Sequence, residues 1–129
     1  MRIAHSICQT ALAFTILATL SGCAIIRDPG GNSVAAVRKV RAEARTRVVP
    51  GKLEDVYRRT IETADAAGWE VFRRFPEEHL VVYHQIPGSV DSTQVGVFCS
   101  ESDGGVLVEV ASPSIFSREL AAKVLFRRL

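Results

Sequence analysis

The chain has 129 residues, 47% of them apolar and 23% charged, with a formal net charge of +2. That length holds one domain, and the composition is that of an ordinary globular protein. A balance so near neutral excludes the dense basic footprint that nucleic-acid binding demands.

Only the N-terminus departs from this average. Arg2 puts a positive charge close to the start, and Ile7 to Leu20 (ICQTALAFTILATL) runs 14 residues without a charge. A helix needs about 20 apolar residues to span a bilayer, so this run is short for a permanent span and suits the apolar region of a signal peptide. It ends in Leu20-Ser21-Gly22-Cys23. The bare residues also admit an unlipidated secretory signal. The order of charge, apolar run, small residues and cysteine resembles the lipobox of bacterial lipoprotein precursors. That resemblance implies cleavage between Gly22 and Cys23, with diacylglycerol on the Cys23 thiol and a further acyl chain on its amine. Ser21 and Gly22 would leave the processing enzymes a slim approach to the sulfur. The non-acidic Ala24 implies, for a two-membrane bacterium, the periplasmic face of the outer membrane.

Residues 1–22 are therefore expected to be a signal peptide. Their removal leaves 107 residues, and since only Arg2 of the charged residues departs, 15 basic side chains then face 14 acidic ones. Cys8 leaves with the signal and Cys23 is used by the lipid, so Cys99 alone remains and no disulfide can close within the mature chain. Export into an oxidising space permits disulfides, but this domain must be held by its core.

Residues 23–39 are expected to form a flexible tether. Arg27 to Ser33 (RDPGGNS) gathers Pro, two Gly, Asn and Ser into seven positions, a strong loop signal. Val34 to Lys39 is open: Ser33 can cap a short helix there, or the stretch can lead into a strand.

A single domain is expected over 40–129. Val40, Ala42, Ala44, Thr46 and Val48 alternate with Arg41, Glu43, Arg45 and Arg47, which predicts a strand with a solvated charged face. After Pro50-Gly51, the helical spacing of Leu53, Val56, Tyr57, Thr60, Ile61 and Ala64 predicts an amphipathic helix that Gly68 ends. Strands follow at 69–75, 79–86, 93–100 and 106–111, broken by Pro76-Glu77-Glu78, by a loop from Pro87 to Ser92, and by Ser102-Asp103-Gly104-Gly105. Val95, Val97 and Cys99 share one face with Val106, Val108 and Val110 across the last turn, which places Cys99 in the core. Ser112 or Ser114 starts a final helix whose stripe is Phe116, Leu120, Ala121, Val124 and Leu125.

The order β-α-β-β-β-β-α predicts an α+β fold: an antiparallel sheet of about five strands with two helices on one face, the other face wet or occupied by a partner. The layout over 40–129 resembles small bacterial lipoprotein domains of uncharacterised function and, more distantly, helix-grip folds. That likeness rests on element order, and fold alone does not give function.

The residues that carry chemistry do not assemble into a reactive set. His79 and His84 stand five apart in one predicted strand, on opposite faces, so one metal cannot readily take both. The serines fall in turns, no G-x-S-x-G occurs, and a Cys99–His84 pair is left open only because distance in space is not legible. Glu54-Asp55 suits a helix first turn and Glu77-Glu78 a strand turn. The expectation is a membrane-anchored envelope module without enzymatic activity, metal or cofactor beyond the lipid on Cys23. Its partner would be another envelope protein, met through the free sheet face or an edge strand. The alternative is a carrier of a small molecule or lipid, with Trp69, Phe72, Tyr83 and Phe98 lining a pocket between the sheet and the C-terminal helix.

Overall fold

The computed structural model describes residues 33–129. The expected signal peptide over 1–22 and the first part of the expected tether, residues 23–32 with Cys23, lie outside the described residues.

The fold is built on the valine-rich hairpin. Strand β4 (Val95–Ser102) pairs with β5 (Gly105–Ala111) in a register that sets Val97 against Val110, Cys99 against Val108 and Glu101 against Val106. Strands β3 (Leu80–Tyr83) and β2 (Val71–Phe75) continue the antiparallel meander outward. Strand β1 (Arg45–Val49) adds to the far side of β5, giving the order β1-β5-β4-β3-β2. Helix α2 (Leu53–Ala66) thus carries the chain from one edge of the sheet to the other, and α3 (Ile115–Arg128) follows β5. The architecture is α+β, with one five-stranded antiparallel sheet.

Both long helices lie on one face. Val56, Tyr57, Thr60 and Ala64 of α2 and Ala121, Ala122 and Leu125 of α3 are buried against Val49, Val81, Tyr83, Val95, Val97, Cys99, Val106, Val108 and Val110. Helix α2 ends in a Schellman motif: Trp69 N–H donates to Ala64 C=O (2.9 Å) and Gly68 N–H to Asp65 C=O (3.0 Å), with Gly68 at φ +81°. The turn buries Trp69 under the helix end.

Three expectations need correction. The first concerns 34–39, where the sequence leaves a Ser33-capped helix as one of two open readings and the stretch is expected to belong to the flexible tether. It is a helix, α1 (Val34–Lys39), capped by Ser33, whose Oγ accepts from Ala36 N–H (3.1 Å). Val37 is fully buried on the second sheet face with Leu80, Val82, Phe98 and Ala111, so this stretch packs with the domain and partly covers the face expected to be free. The second concerns 40–48. Residues 41–43 form a 3-10 turn and the strand begins only at Arg45. Arg45 and Arg47 are exposed as expected, but they share the side of Val49 and reach α3, while Thr46 and Val48, the alternate residues, are exposed on the other side. The reason is position, since β1 is an edge strand beside α3 and long arginine stems can lie along that helix. Arg45 Nε meets Glu119 at 2.8 and 2.9 Å, and Arg47 donates to the Phe126 carbonyl. The third concerns the α3 stripe. Ser117 is buried where Phe116 was expected, and Phe116 is 52% exposed.

Candidate functional site

The polar centre of the domain is Asp91. It sits in the loop between β3 and β4, and its carboxylate accepts from Ser114 Oγ (2.7 Å), Ser117 Oγ (3.0 Å) and Thr93 N–H (3.0 Å). Ser89 Oγ lies 2.7 Å from Ser117 Oγ, and Ser112 Oγ donates to Gln94 C=O (2.8 Å) and accepts from Ser114 N–H (3.2 Å). Ser114 is also the N-cap of α3, accepting from Ser117 N–H (3.2 Å). The hydrogen bond from Ser114 is the main reason that the Asp91 carboxyl lies below the usual carboxylate range. This network pins the loop to the start of α3. It also turns Ser117 inward and leaves Val90, Ile115 and Phe116 pointing out. Of Asp91 and Ser114 only the serine is legible in the sequence, as a candidate start of the last helix; Asp91 lies unmarked in the loop from Pro87 to Ser92, and nothing local pairs the two.

At the opposite end of the sheet His79 takes a left-handed conformation (φ +50°), unusual for a residue with a Cβ. Its Nε2 is 2.5 Å from Glu54 Oε1 on α2, and its ring meets Tyr57 edge-on at 5.1 Å. His79 C=O accepts from Cys99 N–H (2.9 Å), so the two residues meet through backbone. Cys99 itself is 3% exposed, and burial pushes its thiol up to about 11. A thiol so buried and held in its protonated form is a weak nucleophile. His84 is elsewhere, edge-on to Phe72 at 4.8 Å. No group of three or more His, Cys, Asp and Glu side chains arranged to hold a metal occurs among the described residues.

The four aromatics expected to share a pocket are divided. Trp69 and Tyr83 pack edge-to-face at 5.2 Å in the core under α2 and α3. Phe98 belongs to the other face, beneath the Arg41 guanidinium at 4.3 Å, where Arg41 also pairs with Glu109 (2.7 Å). Phe72 is 40% exposed on β2, at a register shift between Val71 and Arg73. The structure brings two of the four together, in the packed interior. Burial raises the Tyr83 hydroxyl far above its usual value, and that hydroxyl has no hydrogen-bond partner.

A cleft of about 600 Å³ lies between the start of α2 and the β4–β5 hairpin, lined by Lys52, Glu54, Asp55, Glu101, Ser102 and neighbours. A second, of about 500 Å³, lies at the outer edge of the sheet between Glu70, Phe72, His84, Gln85, Ser92 and the buried Gln94. Strands β1 and β2 are the two edges. The β1 arginines are drawn toward α3, whereas Phe72, Arg73 and Arg74 of β2 are exposed. No family model matches the chain, and no curated protein matches it.

Proposed function

We propose that the chain is the precursor of a lipid-anchored protein of the bacterial envelope, and that its folded domain is a non-enzymatic interaction module. The observation that carries the reading is the order of the N-terminal residues, Arg2, the apolar run 7–20, then Leu20-Ser21-Gly22-Cys23 only ten residues before the α1 cap Ser33. Cleavage at Gly22–Cys23 and acylation of Cys23 would hold the domain at a membrane, since two or more acyl chains give a stable anchor where one is marginal. Ala24 favours the periplasmic face of the outer membrane.

The partner surface best supported is the edge of β2. An edge strand offers unpaired backbone donors and acceptors to an extended segment of another protein. Here it carries Phe72 as an apolar contact and Arg73 and Arg74 as cationic ones, a pattern suited to an extended acidic segment. The carrier reading keeps one observation in its favour, the cleft of about 500 Å³ beside Phe72, which is within the size range of small-ligand sites. That cleft lies at the sheet edge, away from α3.

Two experiments test the proposal. Intact mass of membrane-extracted protein should equal Cys23–Leu129 plus acyl chains, and the Cys23→Ala variant should lose them; an unmodified chain or cleavage elsewhere sinks the anchor. A photo-crosslinking side chain at position 72, in cells, should give a discrete envelope-protein adduct that one at Lys123 does not. If position 72 gives no adduct above that control, the edge-strand module is wrong.

A further inference from the structure

Five large apolar side chains are exposed among the described residues, and three of them flank the Asp91 hydrogen-bond network. Val90 is 85% exposed, Ile115 68% and Phe116 52%. They come from two separate segments, but the Asp91 network joins them. Asp91, next to Val90, holds Ser114 and Ser117, which flank Ile115 and Phe116; Ser89, on the other side of Val90, contacts Ser117. The tip of the loop is therefore fastened at both neighbours of Val90 to the first turn of α3. Such a braced loop holds three apolar side chains in water when a free loop could turn them away.

We infer that this tip is a membrane-contact surface, resting in the interfacial region of the bilayer beside the lipid on Cys23. The inference rests on the lipid-anchored reading above. Three considerations select a lipid surface over other occupants. A stable dimer buries about 800 Å² on each partner, and three side chains fall well short of that. None of the three lines either of the clefts described above, so they do not form a groove for a helix or a small ligand. A bilayer asks for no shape complement, only exposed apolar groups at a fixed height. The chain between Cys23 and Ser33 then spans at most about 35 Å when fully extended, so an anchored domain cannot leave the surface. Tethering at that distance makes a weak second contact effective, because the local concentration of membrane is high.

The contact sets an orientation. The loop between β3 and β4 and the start of α3 lie at one end of the sheet, and the Asp103-Gly104 turn lies at the other. The Asp103 end, with the cleft at the start of α2, would face away from the membrane.

The test uses the full chain, purified with its lipid and reconstituted in phosphatidylethanolamine/phosphatidylglycerol vesicles. Ile115→Cys and Asp103→Cys each take an environment-sensitive fluorophore, since the buried Cys99 does not compete for label. The fluorophore at 115 should emit at shorter wavelength and be quenched by spin-labelled lipid at least threefold more than the one at 103. A Val90→Ser, Phe116→Ser double substitution in the chain carrying the label at 115 should lose that difference while keeping its acyl mass and its circular dichroism. Equal, aqueous-like signals at 115 and 103 in acylated, folded protein would overturn the inference. Self-association in sedimentation, abolished by the same variant, would also overturn it and assign the tip to a second copy. If mass shows no acyl chains, the anchor reading fails separately, and the labelled chain mixed with the same vesicles decides whether the tip binds lipid unaided.

Discussion

Val37 occupies the space that a side chain at Gly96 would need: a Cβ built on Gly96 would collide with Val37 Cγ1. Helix α1 thus approaches β4 at the one point in the strand where no side chain stands between them. The contact ties the segment nearest Cys23 to the middle of the sheet. Beside it, Arg38 pairs with Glu78 and covers the Phe75 ring at 5.0 Å, and Arg41 covers Phe98. The Arg38–Glu78 pair is exposed and adds little, and Val37 is the buried residue of α1, so the Val37–Gly96 contact decides how firmly the helix is held.

Gly96→Ala is accordingly expected to lower unfolding stability by about 1–3 kcal/mol, the usual cost of overpacking. Val37→Ala alone should also destabilise, by opening a cavity. Combined, the two changes should cost less than their sum, because the new methyl fills the space that Val37 leaves. Urea unfolding of the two single variants and the double variant gives the comparison; strict additivity would mean that α1 is not seated as described.

What the sequence discloses follows from how local the cause is. The valine rows of β4 and β5 and the stripe of α2 are legible because period and burial agree over many residues. Strand β1 is misread because its alternation continues through 41–43, where the chain makes a 3-10 turn, and because an edge strand can aim charged side chains at a helix. The exposure of Phe116 is not legible at all. It depends on Ser117 meeting Asp91, 26 residues away, and side-chain hydrogen bonds at that separation leave no periodic trace. The divided aromatics have two separate causes: Phe98 alternates with Val97 and Cys99 along β4, so period two already sets it on the other face, whereas Phe72 stands at a register shift in β2 that no local pattern marks.

Asp91 should confer acid sensitivity. Its carboxyl lies below the ordinary range in the folded chain, chiefly through the Ser114 hydrogen bond. The folded state therefore binds this proton less readily than the unfolded state does. The stabilisation is fully present above the unfolded value, about 4, and is lost as pH falls through the lower folded value. Asp91→Asn should cost about 1–2 kcal/mol at neutral pH and reduce the slope of stability against pH below about 4. Part of that slope should persist, because Glu119 and Glu78 are also held low, by Arg45 and Arg38. Chemical unfolding from pH 7 to pH 2.5 measures both quantities; an unchanged slope in the variant would contradict the role given to the network.

Cys99 should behave as a core residue. Its thiol is buried and pushed up to about 11, first by desolvation, so a thiol reagent at pH 8 meets neither an accessible nor an ionised sulfur. Labelling of the native Cys8→Ser, Cys23→Ser chain, in which Cys99 is the one thiol left, should be slow and should accelerate with denaturant in step with unfolding. Cys99→Ala should cost about 1–2 kcal/mol through lost burial and a small cavity. Rapid native labelling would show that the strand opens locally.

The β4–β5 turn offers the sharpest contrast between strain and collision. Gly104 (φ +84°) and Gly105 (φ +148°) both use backbone conformations that side chains disfavour. A Cβ on Gly104 meets nothing within 4 Å, so Gly104→Ala should cost only the conformational penalty, about 1 kcal/mol. A Cβ on Gly105 would strike the Val49 carbonyl and crowd Pro50 Cα at 3.0 Å. Those are backbone atoms at the end of β1, and no side-chain rotation relieves the clash. Gly105→Ala must therefore push β1 off β5 where Val49 pairs with Val106, and should cost several times as much as Gly104→Ala. Thermal unfolding of the two variants ranks them directly. Amide exchange should rise in β1 for Gly105→Ala alone, and equal losses in the two variants would mean that β1 is not docked at the hairpin as the structure has it.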